Sequence, residues 1–116
     1  MSRNMWFWWA QRISAIALIA LLAVHLWVLH FSHPESTVTL GNVHQRLNTF
    51  RFLLVDYLLL FMALFHGLNG VRNILLDHSR FASRSRTITW ALTVVGMVFC
   101  VYGGAALWYA SQFVSL

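Results

Sequence analysis

Three long apolar runs constrain this chain more than any other feature of its sequence. They cover residues 6–31, 50–78 and 87–113. Each is longer than the roughly 20 residues that an α-helix needs to cross the hydrocarbon core of a bilayer. None of them shows the strict apolar–polar alternation of a barrel strand. The sequence therefore predicts an all-α integral membrane protein, with three transmembrane helices in a single domain over residues 1–116.

The charged residues are too few to cover a water-facing surface, and their positions predict an orientation. Only 9% of the residues are charged, whereas soluble domains have about one quarter. The net charge of +5 comes from scattered basic residues, and not from the clustered patch of a nucleic-acid-binding protein. Arg3 precedes the first run, and Arg80, Arg84 and Arg86 lie in the second connection. By the positive-inside rule, the N-terminus and that connection are cytoplasmic.

Two further predictions come from the first connection between apolar runs and from the small number of helices. Residues 32–49 are mostly polar and include Pro34, so they are predicted to form a loop. A short helix is expected within it, around residues 43–47. Three helices alone enclose little interior, so we expect a partner chain in the membrane.

The second run carries polar residues at helical spacing. At 100° per residue, Asn73 and Asp77 lie about 20° from His66 around the helix axis, and Gly70 lies about 40° from it. Polar groups are costly in lipid, so this stripe is predicted to face protein. Arg72 points elsewhere, about 9 Å along the axis from His66.

This stripe suits a haem, although the spacing alone does not decide the matter. A neutral imidazole such as that of His66 is a common axial ligand of haem iron. The absence of side chains at Gly67 and Gly70 would let the flat macrocycle lie close to the helix, and Arg72 is placed to bind an anionic propionate. His66 equally fits a buried histidine that is hydrogen-bonded across helices. Arg72 and Asp77 equally fit the role of polar residues that terminate a helix.

The first run carries three more candidate residues. Arg12 lies about two turns in from the cytoplasmic end, at a depth similar to that of Arg72. A quinone head group or a carboxylate would find hydrogen-bond donors there, whereas a lipid-facing Arg12 would extend its head group to water. Ser14 and His25 share a face, about 20° apart. His25 is a candidate ligand for a second haem, although an isolated histidine is more often structural.

Two motifs resemble those of a family of respiratory membrane proteins. "HGLNGVRNILLD", residues 66–77, resembles the H-x-x-x-G-x-R-x-x-x-x-D signature of the membrane anchor subunits of succinate dehydrogenase (respiratory complex II) and related fumarate reductases. "QRIS", residues 11–14, resembles the H-R-x-S-G motif that opens the first helix of such anchors. The predicted topology and the length of 116 residues are similar to the smaller, D-type anchor of that family.

The resemblance implies a function, partners and a location. In that family, two three-helix anchor chains hold a flavoprotein and an iron–sulfur protein on the membrane. Electrons pass from succinate through flavin and clusters to a quinone. A haem b often lies between the two anchors, with one axial histidine from each. This chain would then be a non-catalytic, multi-pass subunit in the inner (cytoplasmic) membrane of a bacterium.

The longer motif also implies roles for individual residues. His66 matches the axial histidine of the family. Gly70 and Arg72 match the glycine and arginine that follow it, with Arg72 as a propionate partner. Asp77 matches the acidic residue that ends the motif.

The shorter motif and the region after Asp77 depart from the family pattern. Arg12 and Ser14 match the arginine and serine near the quinone pocket. However, Gln11 replaces the usual histidine before the arginine, and Ala15 replaces the glycine. His78 stands where some smaller anchors have a quinone-contacting tyrosine, so it is a candidate hydrogen-bond donor to the quinone. These departures make the quinone site less well defined than the haem ligand.

Three other functional classes remain to be weighed against this one. A haem-free anchor of the same complex would use the same fold. A cytochrome b anchor of another quinone-linked dehydrogenase usually has four or more helices and several intramembrane histidines. A small multidrug-type transporter usually has an acidic residue in the middle of its first helix, and the first run here has none.

Overall fold

The computed structural model describes residues 3–31 and 39–112, which are almost entirely helical. Three helices have 28 residues each: α1 (Arg3–His30), α3 (Phe50–Asp77) and α4 (Ser85–Gln112). A short helix, α2 (Leu40–Leu47), precedes α3, and a 3₁₀ turn (Ala82–Arg84) leads into α4. At 1.5 Å per residue, each long helix extends about 42 Å, which is more than the ~30 Å of a hydrocarbon core.

The predicted elements are confirmed within this part of the chain. Three helices are long and apolar enough to cross a membrane, and each corresponds to one apolar run. The helix expected around residues 43–47 is α2, which starts three residues earlier. Pro34 and Phe113 lie outside the described residues. The cytoplasmic placement of the N-terminus and the packing against a second anchor chain stay predictions.

The pattern of burial is the reverse of that in a water-soluble protein. Among the described residues, the buried polar side chains are Ser14, Asp56, Asn69, Arg72 and Ser111, and the buried apolar one is Leu47. Large apolar side chains are exposed on all three long helices, including Ile16, Ile19, Trp27, Ile74, Val101 and Tyr102. Such a surface is stable only against lipid or another apolar partner.

Helix α3 lies between α1 and α4 and packs on both. It runs antiparallel to each neighbour, because Ser14 of α1 meets His66 while His25 of α1 meets Asp56, near the opposite end of α3. On the other side, Tyr57 donates a hydrogen bond from its hydroxyl to the Gly104 carbonyl of α4, at 3.0 Å. The central helix therefore presents different side chains to its two neighbours.

Close approach of α3 and α4 depends on a glycine. A Cβ atom added at Gly96 would lie 2.7 Å from Leu68 Cδ1, closer than carbon atoms normally approach. Small residues at helix–helix interfaces in membranes allow such contact and gain packing energy from it. Gly67, one position before Leu68, differs because an added Cβ would meet nothing within 4 Å.

We predict that Gly96→Val weakens the α3–α4 interface. The added side chain would displace the terminal methyl group of Leu68, so we expect a cost at the low end of the about 1–3 kcal/mol that is typical of overpacking. The expected result is a lower temperature at which the detergent-solubilised chain leaves its monodisperse chromatographic peak. Gly67→Val is the matched control and should cause a smaller loss. Equal losses for the two variants would contradict the proposed interface.

Candidate functional site

The predicted polar stripe of α3 faces α1 of the same chain. His66 Nδ1 lies 3.0 Å from Ser14 Oγ, and His66 Nε2 lies 3.3 Å from Gln11 Nε2. Gly70 faces the same neighbour, since a Cβ atom there would lie 3.3 Å from Gln11 Nε2. His66 and Gly70 of the stripe thus face α1, and Gln11 fills the space beside Gly70, whereas Asp77 at the end of the stripe is exposed.

The hydrogen bonds of Ser14 assign the position of the proton on His66. A serine hydroxyl has one proton to donate, and Ser14 Oγ donates it to the Gln11 carbonyl at 3.0 Å. Ser14 Oγ therefore accepts from His66 Nδ1–H. The tautomer, assigned here from the hydrogen-bond network, leaves a lone pair on His66 Nε2. Gln11 Nε2 donates towards that lone pair and to the His66 carbonyl, at 3.2 Å.

Asn69 fixes the orientation of the Gln11 amide. Its Nδ2 donates to Gln11 Oε1 at 2.7 Å and to the Phe7 carbonyl at 3.2 Å. Because Gln11 Oε1 accepts from Asn69, Gln11 Nε2 is turned towards His66. From the sequence, Gln11 is only a departure from a motif, and Asn69 has no predicted role. The missed signal is that Gln11 lies three residues before Ser14, hence on a neighbouring position of the same helix face.

The chemistry of His66 suits an axial haem ligand. Metal-bound histidines usually donate their other ring N–H to a fixed acceptor, and Ser14 Oγ is such an acceptor. The lone pair on His66 Nε2 would be the one available to iron. The Gln11 amide lies on the ligand side of this nitrogen, so iron would take its place only after the Gln11 side chain rotates.

Arg72 lies on the other side of α3, against α4. Its Nε donates to Thr89 Oγ1 at 2.8 Å, and its guanidinium carbon lies 4.3 Å from the centre of the Phe7 ring. The side chain is buried, with 9% of its surface exposed. The structure therefore does not bring Arg72 and His66 together, although both belong to one sequence motif. The role of Arg72 as a propionate partner stays a prediction.

The three remaining candidates, Arg12, Asp77 and His78, lie outside the hydrogen-bond network of His66. Arg12 is exposed and stacks on Trp8, with its guanidinium carbon 4.2 Å from the ring centre. Asp77 is exposed and lines a cavity of about 620 Å³ that also includes Trp8 and Asn73. His78 is exposed beyond the end of α3, and its backbone N–H donates to the Leu75 carbonyl at 3.2 Å. Of these three, Asp77 lines a cavity large enough to hold part of a small molecule.

A second polar cluster joins α1, α2 and α3. It lies near the C-terminal end of α1 and the N-terminal end of α3. His25 Nδ1 lies 2.9 Å from Asp56 Oδ1, and Arg46 Nη1 lies 3.0 Å from Asp56 Oδ2. The Asp56 side chain is only 6% exposed. A carboxylate on Nδ1 is found both in ion pairs and at metal-bound histidines, so the second haem at His25 stays a prediction.

The sequence analysis did not pair His25 with Asp56, although the spacing carried the signal. Ser14 and His25 are 11 residues apart on α1, and Asp56 and His66 are 10 residues apart on α3. On adjacent antiparallel helices, such matched spacing places both polar pairs in contact at once. The structure has both contacts.

We predict that Asp56→Asn destabilises the chain. The change leaves the positive charge of Arg46 largely buried without its carboxylate, and removal of one partner from a buried ion pair costs about 3–5 kcal/mol. Thermal loss of the monodisperse peak in detergent should occur well below that of the unmodified chain. Asp77→Asn makes the same chemical change at an exposed position and should have little effect. A stable Asp56→Asn variant would show that the cluster contributes little.

A known protein family and individual known proteins match almost the whole length of this chain. Residues 1–108 match the family described as succinate dehydrogenase/fumarate reductase transmembrane subunit. The chain is 28% identical to a succinate dehydrogenase hydrophobic membrane anchor subunit of Thermoplasma acidophilum, over 81% of this chain and 76% of the relative. It is also 28% identical to a protein of the same description from Archaeoglobus fulgidus, over 89% and 86% of the two chains. No solved structure matches.

Proposed function

The chain belongs to the succinate dehydrogenase/fumarate reductase transmembrane subunit family, and from this premise we propose how it works as a membrane anchor. It holds the flavoprotein and iron–sulfur subunits of a succinate:quinone oxidoreductase at the bilayer, together with a second anchor chain. It ligates haem b through His66 and helps to form the quinone site. The electron acceptor is a quinone in the membrane. The chain carries no step of succinate oxidation.

The hydrogen bond between His66 Nδ1 and Ser14 carries the haem part of this proposal. It places the proton on Nδ1 and the lone pair on Nε2, which is the state that a haem ligand requires. Ser14 thus acts as a positioning residue for His66, while Gln11 rotates to uncover Nε2. When bound, the haem supplies a one-electron redox centre within the membrane. The second axial histidine comes from the partner anchor.

The quinone part of the proposal rests on the cavity of about 620 Å³ near the end of α3. Asp77 and Asn73 line it and offer hydrogen-bonding groups, while Phe7 and Trp8 line its apolar part. Partner subunits complete this site, because the cavity is open to the surface of the single chain. Arg12, exposed beside Trp8, and His78 contribute from the rim. Ser14 does not touch the quinone, since its hydroxyl is engaged by His66 and Gln11.

The basic connection between α3 and α4 supports docking of the soluble subunits. Arg80 and Arg84 are exposed there, on the side that the positive-inside rule makes cytoplasmic. The three long apolar helices make the chain a multi-pass membrane protein, and we propose the cytoplasmic membrane of a prokaryote as its location. Both relatives come from archaea, so the narrower expectation of a bacterium gains no support from them.

A haem-free anchor is the second candidate, and one contact favours it. Gln11 Nε2 lies 3.3 Å from His66 Nε2, so both ring nitrogens have hydrogen-bond partners within the chain itself. A buried histidine satisfied in this way needs no metal. A pyridine haemochrome measurement on the purified complex separates the two candidates, because only the first contains haem b.

We predict that His66→Ala abolishes the low-spin haem b absorbance of the complex, since no other group replaces Nε2 as the ligand. Visible spectra of the dithionite-reduced complex provide the measurement. His78→Ala removes an exposed histidine one residue beyond the same helix and should leave the spectrum unchanged. Full haem absorbance in the His66→Ala complex would exclude this ligand assignment.

The docking role is tested independently of the haem. An affinity-tagged chain purified from its native membranes in mild detergent should bring with it a flavoprotein and an iron–sulfur protein, with succinate–quinone reductase activity. Purification of the chain without these subunits would favour the transporter class. Purification with the subunits of a different quinone-linked dehydrogenase would favour the cytochrome b anchor class.

A further inference from the structure

A basic cavity lies where α1 meets the adjoining ends of α3 and α4. It has a volume of about 390 Å³ and is lined by Phe7, Arg72, Ser85, Arg86, Thr89 and Trp90. We call it the headgroup cavity. It combines two guanidinium groups with two hydroxyl groups, and none of the described residues that line it is acidic. Asp77 lines an adjoining cavity, which shares Phe7, Arg72 and Ser85 with the headgroup cavity. The headgroup cavity therefore has the chemistry of an anion site.

An apolar groove continues from this cavity along the α3–α4 interface. It has a volume of about 220 Å³ and shares Phe7, Arg72 and Thr89 with the headgroup cavity. From there it reaches Gly96 and Cys100, deep in α4. We call it the chain groove. The distance from Thr89 to Cys100 along the helix is about 16 Å, so the groove could hold a substantial length of a hydrocarbon chain.

The position of the two compartments matches the layers of a membrane. Ser85 begins α4, so Thr89 lies only about 6 Å into the helix. Trp90 is 64% exposed, and tryptophan side chains concentrate at the level of the lipid head groups. The headgroup cavity therefore lies at the interface, and the chain groove lies in the hydrocarbon layer.

We propose that the headgroup cavity and the chain groove together bind one anionic phospholipid. Arg72 and Arg86 bind the phosphate, since arginine presents several N–H donors that match phosphate oxygens. Ser85 adds a hydroxyl group beside it, whereas the Thr89 hydroxyl donates its proton to the Ser85 carbonyl and accepts from Arg72 Nε. One hydrocarbon chain occupies the groove past Gly96. A neutral quinone ring fits this pair of cations less well, because it has no charge to compensate them.

The test is lipid titration of the full chain in a neutral detergent, measured by native mass spectrometry. The probes are palmitoyl-oleoyl phosphatidylglycerol and the zwitterionic phosphatidylcholine with the same chains. The unmodified chain should bind one phosphatidylglycerol molecule at least about fivefold more tightly than phosphatidylcholine. This is the gain in affinity that one basic residue gives for an anionic head group. Equal retention of the two lipids would overturn the proposal.

Two matched variants distinguish this site from diffuse surface charge. Arg86→Gln should weaken phosphatidylglycerol binding about fivefold, because Arg86 lines the cavity. Arg84→Gln makes the same change in the preceding 3₁₀ turn and should weaken binding less than twofold. Equal effects of the two variants would show a non-specific attraction and would overturn the proposal.

A third arm separates a lipid from a free phosphate group. Water-soluble glycerol phosphate carries the same anionic group without a hydrocarbon chain, so it should fail to displace bound phosphatidylglycerol even in large excess. Displacement at equal concentrations would mean that the chain groove contributes nothing, and would overturn the assignment of a phospholipid. None of these measurements requires haem or the other subunits, so their outcome is independent of the proposed anchor function.

Discussion

A polar side chain within the hydrocarbon layer must find its hydrogen-bond partner inside the protein, and the helix arrangement follows from this constraint. Water is not available there, so each unpaired group costs several kcal/mol. The chain pairs most of these polar groups between helices, although Asn69 Oδ1 is buried without a hydrogen-bond partner among the described residues. His66 with Ser14 and His25 with Asp56 join α3 to α1, and Arg72 with Thr89 joins α3 to α4. The apolar side chains are left to face lipid.

The central position of α3 separates two kinds of chemistry on one helix. The face towards α1 holds a neutral histidine whose Nε2 is a potential ligand atom. The face towards α4 holds a buried arginine beside a basic cavity. His66 and Arg72 belong to a single motif in the sequence, yet His66 bonds to α1, whereas Arg72 bonds to Thr89 of α4 and stacks on Phe7 of α1. The motif therefore describes two sites, one proposed for haem and one proposed for a phospholipid.

The sequence predicted the helices and the direction in which His66 and Gly70 face, because both depend on local periodicity. Lengths of apolar runs and a 100° rotation per residue are enough for those predictions. The hydrogen-bond partners of the stripe were harder to predict, because they depend on the register of α1 against α3. Gln11 entered only as a replaced histidine, and its contact with His66 was not foreseen. The space at Gly70 was assigned to a macrocycle, whereas the structure places the Gln11 amide there.

The account depends most directly on the tautomer of His66. Solid-state NMR of the chain with ¹⁵N-labelled histidine, in lipid bilayers and without haem, reports the protonation of each ring nitrogen. The His66 signals can be assigned by their absence from a His66→Ala sample. The account predicts a protonated Nδ1, hydrogen-bonded to Ser14, and an unprotonated Nε2. A His66 with its proton on Nε2 would contradict it, because the ligand atom would then be blocked and Ser14 would not be the acceptor.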